Sequence, residues 1–264
     1  RATLRGLAAC VPCAHEGGAV GTRAELRYTP ARTPTMLTAP APRINVHPHA
    51  VALSGTGIGR EENEDATGIH ADLLALSDGM GGLPDGGKAS IAAVRAFMKY
   101  TSLALAVAPT ETVFREAFRV AQTAVNLLGT GAGATLVVAH LEPGSVVVAH
   151  VGDSRAYLLR GDTATRLTVD HAIEHNLLRC LGARLNRWQP DVARHATEAG
   201  DVVLLCSDGF HGERGADGMI DDGMIGALWR ASDGDLERFA RAAYDLAMDE
   251  GGDDNCSVVV ARSR

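Results

Sequence analysis

Apolar runs of strand length recur along this chain, and blocks of helical periodicity separate them. The apolar runs predict strands at residues 51–54, 67–70, 73–77, 134–141, 145–151, 156–160, 163–167, 192–195, 202–206 and 255–261. Helical spacing and start signals predict helices that open near residues 84 and 109, and others at 175–181, 220–229 and 236–248. In the first helix, Ile91, Val94, Phe97 and Met98 form one apolar stripe, which indicates a face packed against the core.

The order of these elements indicates the fold class. Strands come first, followed by two helices, many strands, two helices and one last strand. This order lacks the regular strand–helix alternation of a doubly wound parallel sheet. We therefore predict an α+β fold, a four-layer α-β-β-α sandwich in which two antiparallel sheets are flanked by helix pairs.

The first 48 residues differ in composition from the rest of the chain. They are rich in Ala, Pro, Arg and Thr, and the stretches 29–34 and 39–42 contain prolines that cannot sustain helix or sheet hydrogen bonding. We predict a disordered tail over residues 1–48 and one folded domain over residues 49–264. No apolar run reaches the length of a membrane span, so no membrane partner is expected. The chain begins with Arg1, which leaves an upstream signal segment as an open alternative.

The net charge and the cysteine spacing limit the partners and the cellular compartment that this chain is expected to have. The formal net charge is −7 and no basic stripe with interleaved aromatic residues occurs, so nucleic acid is not expected as a partner. Five cysteines at irregular spacing predict buried free thiols in a reducing compartment, the cytoplasm. Cys10 and Cys13 have the spacing of half a zinc site, but no second half follows.

Acidic residues stand at four places where predicted strands begin or end. The run 73–77, for example, ends at Asp78 and Gly79, in a turn where the backbone can approach a ligand closely. Carboxylates brought together repel one another and raise each other's pKa unless cations neutralise them. A magnesium- or manganese-type site is therefore the simplest interpretation. The four places are Glu64 with Asp65, Asp78, Asp208, and Asp254.

Five motifs in this order resemble those of the PPM family, the metal-dependent, protein phosphatase 2C-like protein phosphatases. The order and spacing match that family from about residue 50 to the C-terminus, and Met after Asp-Gly makes its bacterial branch the closer likeness. The resemblance implies an α-β-β-α sandwich with two magnesium or manganese ions in a cleft between the sheets. The motifs are Arg60 with Asn63-Glu64-Asp65, Asp78-Gly79-Met80-Gly81-Gly82, Gly152-Asp153-Ser154-Arg155, Leu205-Cys206-Ser207-Asp208-Gly209, and Asp254-Asn255.

The resemblance also implies a role for each motif residue. Asp78 would bridge both metal ions and so take part in catalysis, and Arg60 would hold the substrate phosphate. Asp153 and Arg155 would support the cleft rather than bind metal. The implied reaction is hydrolysis of phosphoserine and phosphothreonine by a water activated at the binuclear centre. The implied metal ligands are Asp78, the carbonyl of Gly79, Asp208, Asp254, and Glu64 or Asp65 directly or through water.

The chain departs from the family's pattern at several positions. Met80 and Leu83 stand where the family often has His, so a general acid is missing there, and Gly87 stands where Glu is often found. The stretch 129–135 contains no acid, from which we predict a weak or absent third metal site. The segment between residues 171 and 200 is shorter than the usual flap, which predicts an open cleft with altered specificity or slower turnover.

Three functional hypotheses follow from these patterns. The first is an active cytoplasmic serine/threonine phosphatase, a monomer in signalling whose partners are phosphoproteins and a serine/threonine kinase with its targets. The second is a catalytically weak pseudophosphatase that serves as a regulatory binding module; the missing His favours it, and the intact acidic motifs oppose it. The third is hydrolysis of small phosphorylated metabolites, which an open cleft would permit. His171 and His211 lie near the motifs, and an ordinary structural role is predicted for both.

Overall fold

The computed structural model describes residues 41–80, 83, 85–173, 176–183, 187–212 and 220–264. Within these ranges no helix combines the length and apolarity that crossing a membrane requires. The helices are α1 (Gly86–Ala104), α2 (Thr110–Asn126), α3 (Asp208–His211), α4 (Asp222–Ala231) and α5 (Leu236–Asp249). The strands are β1 (Arg43–Val46), β2 (Ala50–Gly55), β3 (Ala66–His70), β4 (Leu73–Ser77), β5 (Gly133–Ala134), β6 (Leu136–Glu142), β7 (Ser145–Val151), β8 (Arg155–Arg160), β9 (Thr163–Arg166), β10 (Ala172–Ile173), β11 (Asn176–Leu177), β12 (Leu181–Gly182), β13 (Asp191–Ala196), β14 (Val202–Cys206) and β15 (Cys256–Arg262).

Antiparallel pairing organises most of the described strands into two sheets. The first sheet has the strand order β1-β2-β15-β14-β8-β9, and the second has the order β13-β7-β6-β4-β3. Central strands such as β4 and β14 are buried at every position, because their sheets are covered on both faces. Continuous runs of Val, Leu and Ala therefore replace the alternation of apolar and polar residues that a sheet with one wet face would have.

Three apolar layers hold these sheets and helices together. Between the sheets, Leu76 of β4 and Leu205 of β14 belong to one buried core. Outside the first sheet, α4 and α5 bury side chains such as Phe239 against the strands. Outside the second sheet, α1 and α2 do the same with Phe97 and Phe118, whose rings meet edge to face at 5.5 Å. A helix pair thus covers the outer face of each sheet, and the predicted four-layer α-β-β-α sandwich is confirmed.

The predicted tail boundary at residue 48 is wrong for β1. This strand pairs antiparallel with β2, and its Ile44 packs against the core. Pro48 lies in the hairpin turn, where the N–H of His47 donates to the carbonyl of Ala50 at 2.7 Å. Pro48 therefore belongs to the turn of a hairpin and does not mark the end of a tail. In the turn it interrupts none of the hydrogen bonds between β1 and β2. Residues 1–40 of the predicted tail lie outside the described residues.

The helix predicted at residues 175–181 is wrong, and one residue of the predicted stripe on α1 is misplaced. Where the helix at 175–181 was predicted, β11 pairs with β10 and β12 pairs with β5; residues 174 and 175 lie outside the described residues. Pairing of β11 with the neighbouring β10 and of β12 with the distant β5 has overridden the local helical spacing there. On α1, Val94 and Phe97 of the predicted apolar stripe are buried, whereas Ile91 is 43% exposed because the buried face continues through Ala89 and Ala93.

Candidate metal centre

The acidic strand ends come together because of how the antiparallel strands pair. In the second sheet the start of β3 lies beside the end of β4, which places Asp65 and Asp78 at the same edge. In the first sheet the end of β14 lies beside the start of β15, which places Asp208 and Asp254 at the same edge. We call these four residues the aspartate cluster.

A hydrogen bond between Ser207 and Asp65 joins the two sheets at this edge. Ser207 Oγ donates to Asp65 Oδ2 at 2.9 Å, and both residues are buried. Among the described residues, Oδ1 of Asp65 and Oδ1 of Asp208 are buried and find no hydrogen-bond partner. Because burying an unpartnered polar atom costs free energy, these two oxygens indicate a ligand that the protein atoms themselves do not supply.

Burial and mutual repulsion change the ionisation of the aspartate cluster. Burial, together with the charges of Asp208 and Asp254, raises the pKa of Asp65 to about 8. Burial also raises the pKa of Asp78 well above its ordinary value, with the charge of Asp208 as the next cause. The pKa of Asp254 rises to about 6 for the same two reasons, although the Arg60 guanidinium opposes the rise.

This donor set fits hard divalent cations. Several ionised carboxylates in one buried place are stable only if positive charge offsets their repulsion. Mg²⁺ and Mn²⁺ prefer carboxylate and carbonyl oxygens, whereas softer ions prefer thiolate or imidazole ligands. The aspartate cluster, in which two oxygens have no partner in the described part of the chain, is therefore suited to magnesium or manganese.

Two glycines let the backbone pass close to the cluster. A Cβ atom at Gly79 would lie 2.3 Å from the carbonyl group of Gly86 at the start of α1. A Cβ atom at Gly209 would lie 2.1 Å from the carbonyl oxygen of Asn255. Any larger residue would push these turns apart, so the glycine that follows each aspartate is a packing requirement.

Asn255 ties the acidic loop before β3 to the start of β15. Its Oδ1 accepts from the N–H of Glu64 at 2.9 Å, and its Nδ2 donates to the carbonyl of Glu62 at 3.0 Å. The side chain of Glu64 turns to α1, where Oε1 accepts from the N–H of Gly87 at 3.2 Å. Of the two acids that the sequence left as alternatives, Asp65 therefore joins the cluster directly, while Glu64 braces the loop. The Asp254-Asn255 motif contained Asn255, but no sequence signal indicated this bridging role.

Arg60 lies beside the aspartate cluster at the surface. Its Nη2 donates to Oδ2 of Asp254 at 2.5 Å, and its Nε donates to the carbonyl of Asp253 at 3.3 Å. The side chain is 37% exposed, so solvent and solutes can reach the guanidinium. An accessible Arg next to a metal-binding cluster suits an anionic group, because guanidinium donates paired hydrogen bonds to phosphate.

Asp153, for which the sequence predicted only a supporting role in the cleft, lies beside the aspartate cluster. It lies between β7 and β8, where the chain passes from one sheet to the other. Burial raises the pKa of Asp153 to about 7, with the charge of Asp208 as the next cause. The adjacent Ser154 Oγ lies 2.7 Å from Oγ1 of Thr135, which accepts from the N–H of Asp78 at 2.9 Å. The position of Asp153 at a strand end was the sequence signal that could have placed this residue near the other aspartates.

Arg155 forms a buried ion pair behind the cluster. Its Nη2 and Nε donate to Asp170 at 2.9 and 3.1 Å, and the two side chains are only 7% and 4% exposed. His211 is also buried, and its Nε2 lies 3.3 Å from the carbonyl of Asp153. Burial lowers the pKa of His211 to about 4, with the charge of Arg155 as the next cause, so this imidazole is neutral at neutral pH. A structural role, as predicted from the sequence, is the one that its environment favours.

Comparisons with known proteins find phosphatases. The family model described as Protein phosphatase 2C matches residues 60–242. The chain is 30% identical to the serine/threonine phosphatase stp of Listeria innocua, over 80% of this chain and 94% of that protein.

Solved structures give the same result. The fold is similar to the PPM Ser-Thr phosphatase MsPP from Mycobacterium smegmatis in complex with cacodylate, with a TM-score of 0.69 and 29% identity over 81% of this chain and 98% of that chain. It is also similar to the catalytic domain of the serine threonine protein phosphatase PstP in complex with 2 manganese ions. That match has a TM-score of 0.65 and 28% identity, over 81% of this chain and 96% of that chain.

Proposed function

This chain belongs to the protein phosphatase 2C family, and from that premise we propose that it hydrolyses phosphoserine and phosphothreonine in proteins with the aid of two manganese or magnesium ions. The observation that carries the proposal is the aspartate cluster at the strand ends, where two buried carboxylate oxygens have no partner among the described residues. A relative of similar fold is described with two manganese ions, which supports the choice of cofactor.

The protein contributes carboxylate oxygens to the proposed metal site, and hydrogen bonds hold the strand ends that carry them in place before a ligand binds. The N–H of Asp78 donates to Thr135, and Asp65 accepts from Ser207, so the strand ends that carry these carboxylates are tied on both sides. When bound, two divalent cations would supply an acidified water and offset charge on the phosphoryl oxygens. The proposed ligands are Asp65, Asp78, the carbonyl of Gly79, Asp208 and Asp254, with Glu64 through water.

A covalent mechanism through a cysteine is disfavoured. The described cysteines are buried, and burial raises the pKa of Cys180 to about 11 and that of Cys206 to about 12. A thiol must ionise before it can attack phosphorus, so neither would act as a nucleophile at neutral pH. Ser207 Oγ is occupied by its hydrogen bond to Asp65. Attack by water is consistent with these environments, because phosphoryl transfer needs little covalent help from the protein.

The setting of this activity is also part of the proposal. Phosphoprotein substrates require a serine/threonine kinase that supplies them, and we place both in a signalling role in the cytoplasm. The free, buried cysteines are compatible with a reducing compartment. We propose that the chain acts as a monomer, and that the short segment between residues 171 and 200 leaves the cleft open and alters substrate choice.

Metal dependence is the direct test of the proposed function. We expect the full chain to release phosphate from a phosphothreonine peptide with manganese, and we expect EDTA to abolish the release because the carboxylates alone cannot activate water. Phosphate release should be measured with and without each additive. Manganese binding in a calorimeter without hydrolysis would favour the regulatory module instead. Release from small phosphate esters alone would favour the metabolite phosphatase.

Replacing Arg60 should weaken substrate binding. We expect Arg60→Ala to lower kcat/KM for the peptide by about 10- to 100-fold, mostly through KM, because a hydrogen bond to a charged group is worth about 1.5–3 kcal/mol. Steady-state kinetics with the peptide would measure this change. Arg115→Ala, which removes an exposed arginine of α2, is the matched control and should leave the kinetics unchanged. An unchanged KM in Arg60→Ala would contradict the phosphate-binding role.

A further inference from the structure

We propose that His171, oriented by Asp191, is a positioning residue that holds the turn at Gly152 and so places Asp153 beside the aspartate cluster. This inference rests on the proposed function, because the cluster is taken to bind metal. His171 lies between β9 and β10, away from the cluster itself, and only 6% of it is exposed.

Two hydrogen bonds connect His171 to Gly152 in opposite directions. The backbone N–H of His171 donates to the carbonyl of Gly152 at 2.9 Å. The N–H of Gly152 donates back to Nδ1 of the His171 ring at 3.3 Å. Gly152 has a φ of 103°, and a Cβ there would lie 2.6 Å from the side chain of Thr135. The turn thus adopts a conformation that favours glycine, and His171 satisfies both polar groups of its backbone.

Asp191 determines which ring nitrogen of His171 carries the proton. Oδ2 of Asp191 lies 3.0 Å from Nε2 of His171, and Oδ1 accepts from Arg179 at 2.8 Å. A carboxylate at this distance requires a proton on Nε2, so Nδ1 of the neutral ring keeps the lone pair that the Gly152 N–H needs. The contacts with Asp191 and with the Gly152 N–H therefore agree on one tautomer. The Arg179 guanidinium, 3.2 Å from Nε2, donates to Asp191 Oδ1 instead.

The turn that His171 holds is connected to the metal ligands on its other side. Ser154 Oγ lies 2.7 Å from Thr135 Oγ1, and Thr135 accepts from the N–H of Asp78. The peptide N–H of Thr135 also donates to the carbonyl of Asp78 at 2.9 Å. Between these anchors lies Asp153. A change at His171 would therefore move the Asp153 carboxylate, which lies beside the aspartate cluster, without touching the four aspartates directly.

A metal site made of His150, His171 and Asp191 is the competing interpretation, since their ligand atoms lie within 4.8 Å of one another. The two imidazoles are stacked, with centroids 4.5 Å apart and planes 18° apart. Lone pairs lie in the plane of each ring, so nearly parallel stacked rings do not direct them at one ion. Nε2 of His150 is within 2.9 Å of the carbonyl of Val169, and Arg179 places a positive charge 3.2 Å from Nε2 of His171. The first contact occupies His150 Nε2 in a hydrogen bond, and the positive charge of Arg179 opposes a cation at Nε2 of His171.

Two amide substitutions separate the roles of the ring nitrogens. His171→Asn places an acceptor near the position of Nδ1 and loses the contact with Asp191, whereas His171→Gln reaches the position of Nε2 and leaves the Gly152 N–H unpartnered. We expect His171→Gln to weaken manganese binding to the full chain by about 10- to 100-fold in calorimetry, and His171→Asn to stay within about threefold of wild type. His70→Gln, at an exposed position of β3, is the control for the substitution itself.

A variant at Asp191 tests the same inference without changing the buried His171 side chain, whose replacement could impair folding. Asp191→Asn changes a half-exposed side chain and can donate to Nε2, which would move the ring proton to Nδ1, against the Gly152 N–H. We expect it to weaken manganese binding to the same degree as His171→Gln, with an unchanged Tm. Equal affinities in wild type and all variants would overturn the inference alone, as would equal losses in His171→Asn and His171→Gln. Zinc binding at an additional site that Asp191→Asn abolishes would also overturn it. A wild-type chain that binds no manganese would overturn the proposed function as well.

Discussion

Asp78→Asn should abolish manganese-dependent activity and yet raise the Tm of the metal-free chain. Replacing a residue that only orients a metal ligand typically lowers metal affinity or activity by about 10- to 100-fold. Losing a proposed direct ligand should therefore lower the rate by at least about 100-fold. The stability effect has the opposite sign, because burial and the charge of Asp208 raise the pKa of Asp78 in the folded state. A carboxyl with a raised folded pKa destabilises the fold above its unfolded pKa, and a neutral amide does not.

Both readouts are needed to interpret this variant. Phosphate release from the peptide measures the first effect, and thermal unfolding in EDTA measures the second, at about 2–4 °C per kcal/mol for a chain of this size. Asp72→Asn is the matched control, since Asp72 stands at the opposite end of β4 in a partly exposed ion pair with Arg264. Such pairs contribute little, so the control should keep its activity. Full activity in Asp78→Asn would contradict its place among the ligands.

The metal-free chain should lose stability as the pH rises from about 6.5 to about 8.5. Burial raises the pKa of Asp153 to about 7 and that of Asp65 to about 8. Unfolding returns each carboxyl to an ordinary value near 4, so in this pH range the folded state binds more protons than the unfolded state. Stability falls with rising pH wherever the folded state binds more protons.

The histidines set the lower limit of this pH window, because their effect on stability has the opposite sign at lower pH. Burial lowers the pKa of His150, His195 and His211 below their ordinary value of 6.5. Their contribution to stability increases with pH up to about that value and is constant above it. Above about pH 6.5 the raised carboxyl groups therefore dominate.

Thermal unfolding in EDTA across this pH window would measure the loss of stability. Saturating manganese should reverse the trend, because the cations favour the ionised carboxylates, and the rise in Tm that manganese produces should grow with pH. A constant Tm in EDTA across the window would contradict the raised pKa values of the aspartates.

The sequence predicted the acids at strand ends more accurately than it predicted some local elements. Acids at strand ends are recognisable because a strand is short and its last residue is visible in the apolar pattern. The helix expected at residues 175–181 was wrong because pairing of β12 with β5, distant in sequence, overrode local spacing. The tail boundary was wrong because Pro48 in a hairpin turn has the same composition signal as Pro in a tail.

The sequence did not reveal the residues that position others through hydrogen bonds to distant parts of the chain. Asn255 bonds to a loop more than 190 residues earlier, and Ser207 bonds to Asp65 across the two sheets. No spacing rule reports such contacts, because they depend on which strands become neighbours. His171 was predicted to be an ordinary structural histidine, and only its partners Gly152 and Asp191 point to a more specific role.

The sequence by itself determined the layered fold class and the chemistry of the site, because apolar periodicity and acids at strand ends are local features. Only the tertiary structure decided that Asp65 joins the cluster while Glu64 braces the loop, and that Asp153 stands with the other aspartates. The physical reason is that burial and electrostatic coupling depend on distances through space. Those distances are set by how the two sheets pack face to face, which no local pattern in the sequence specifies.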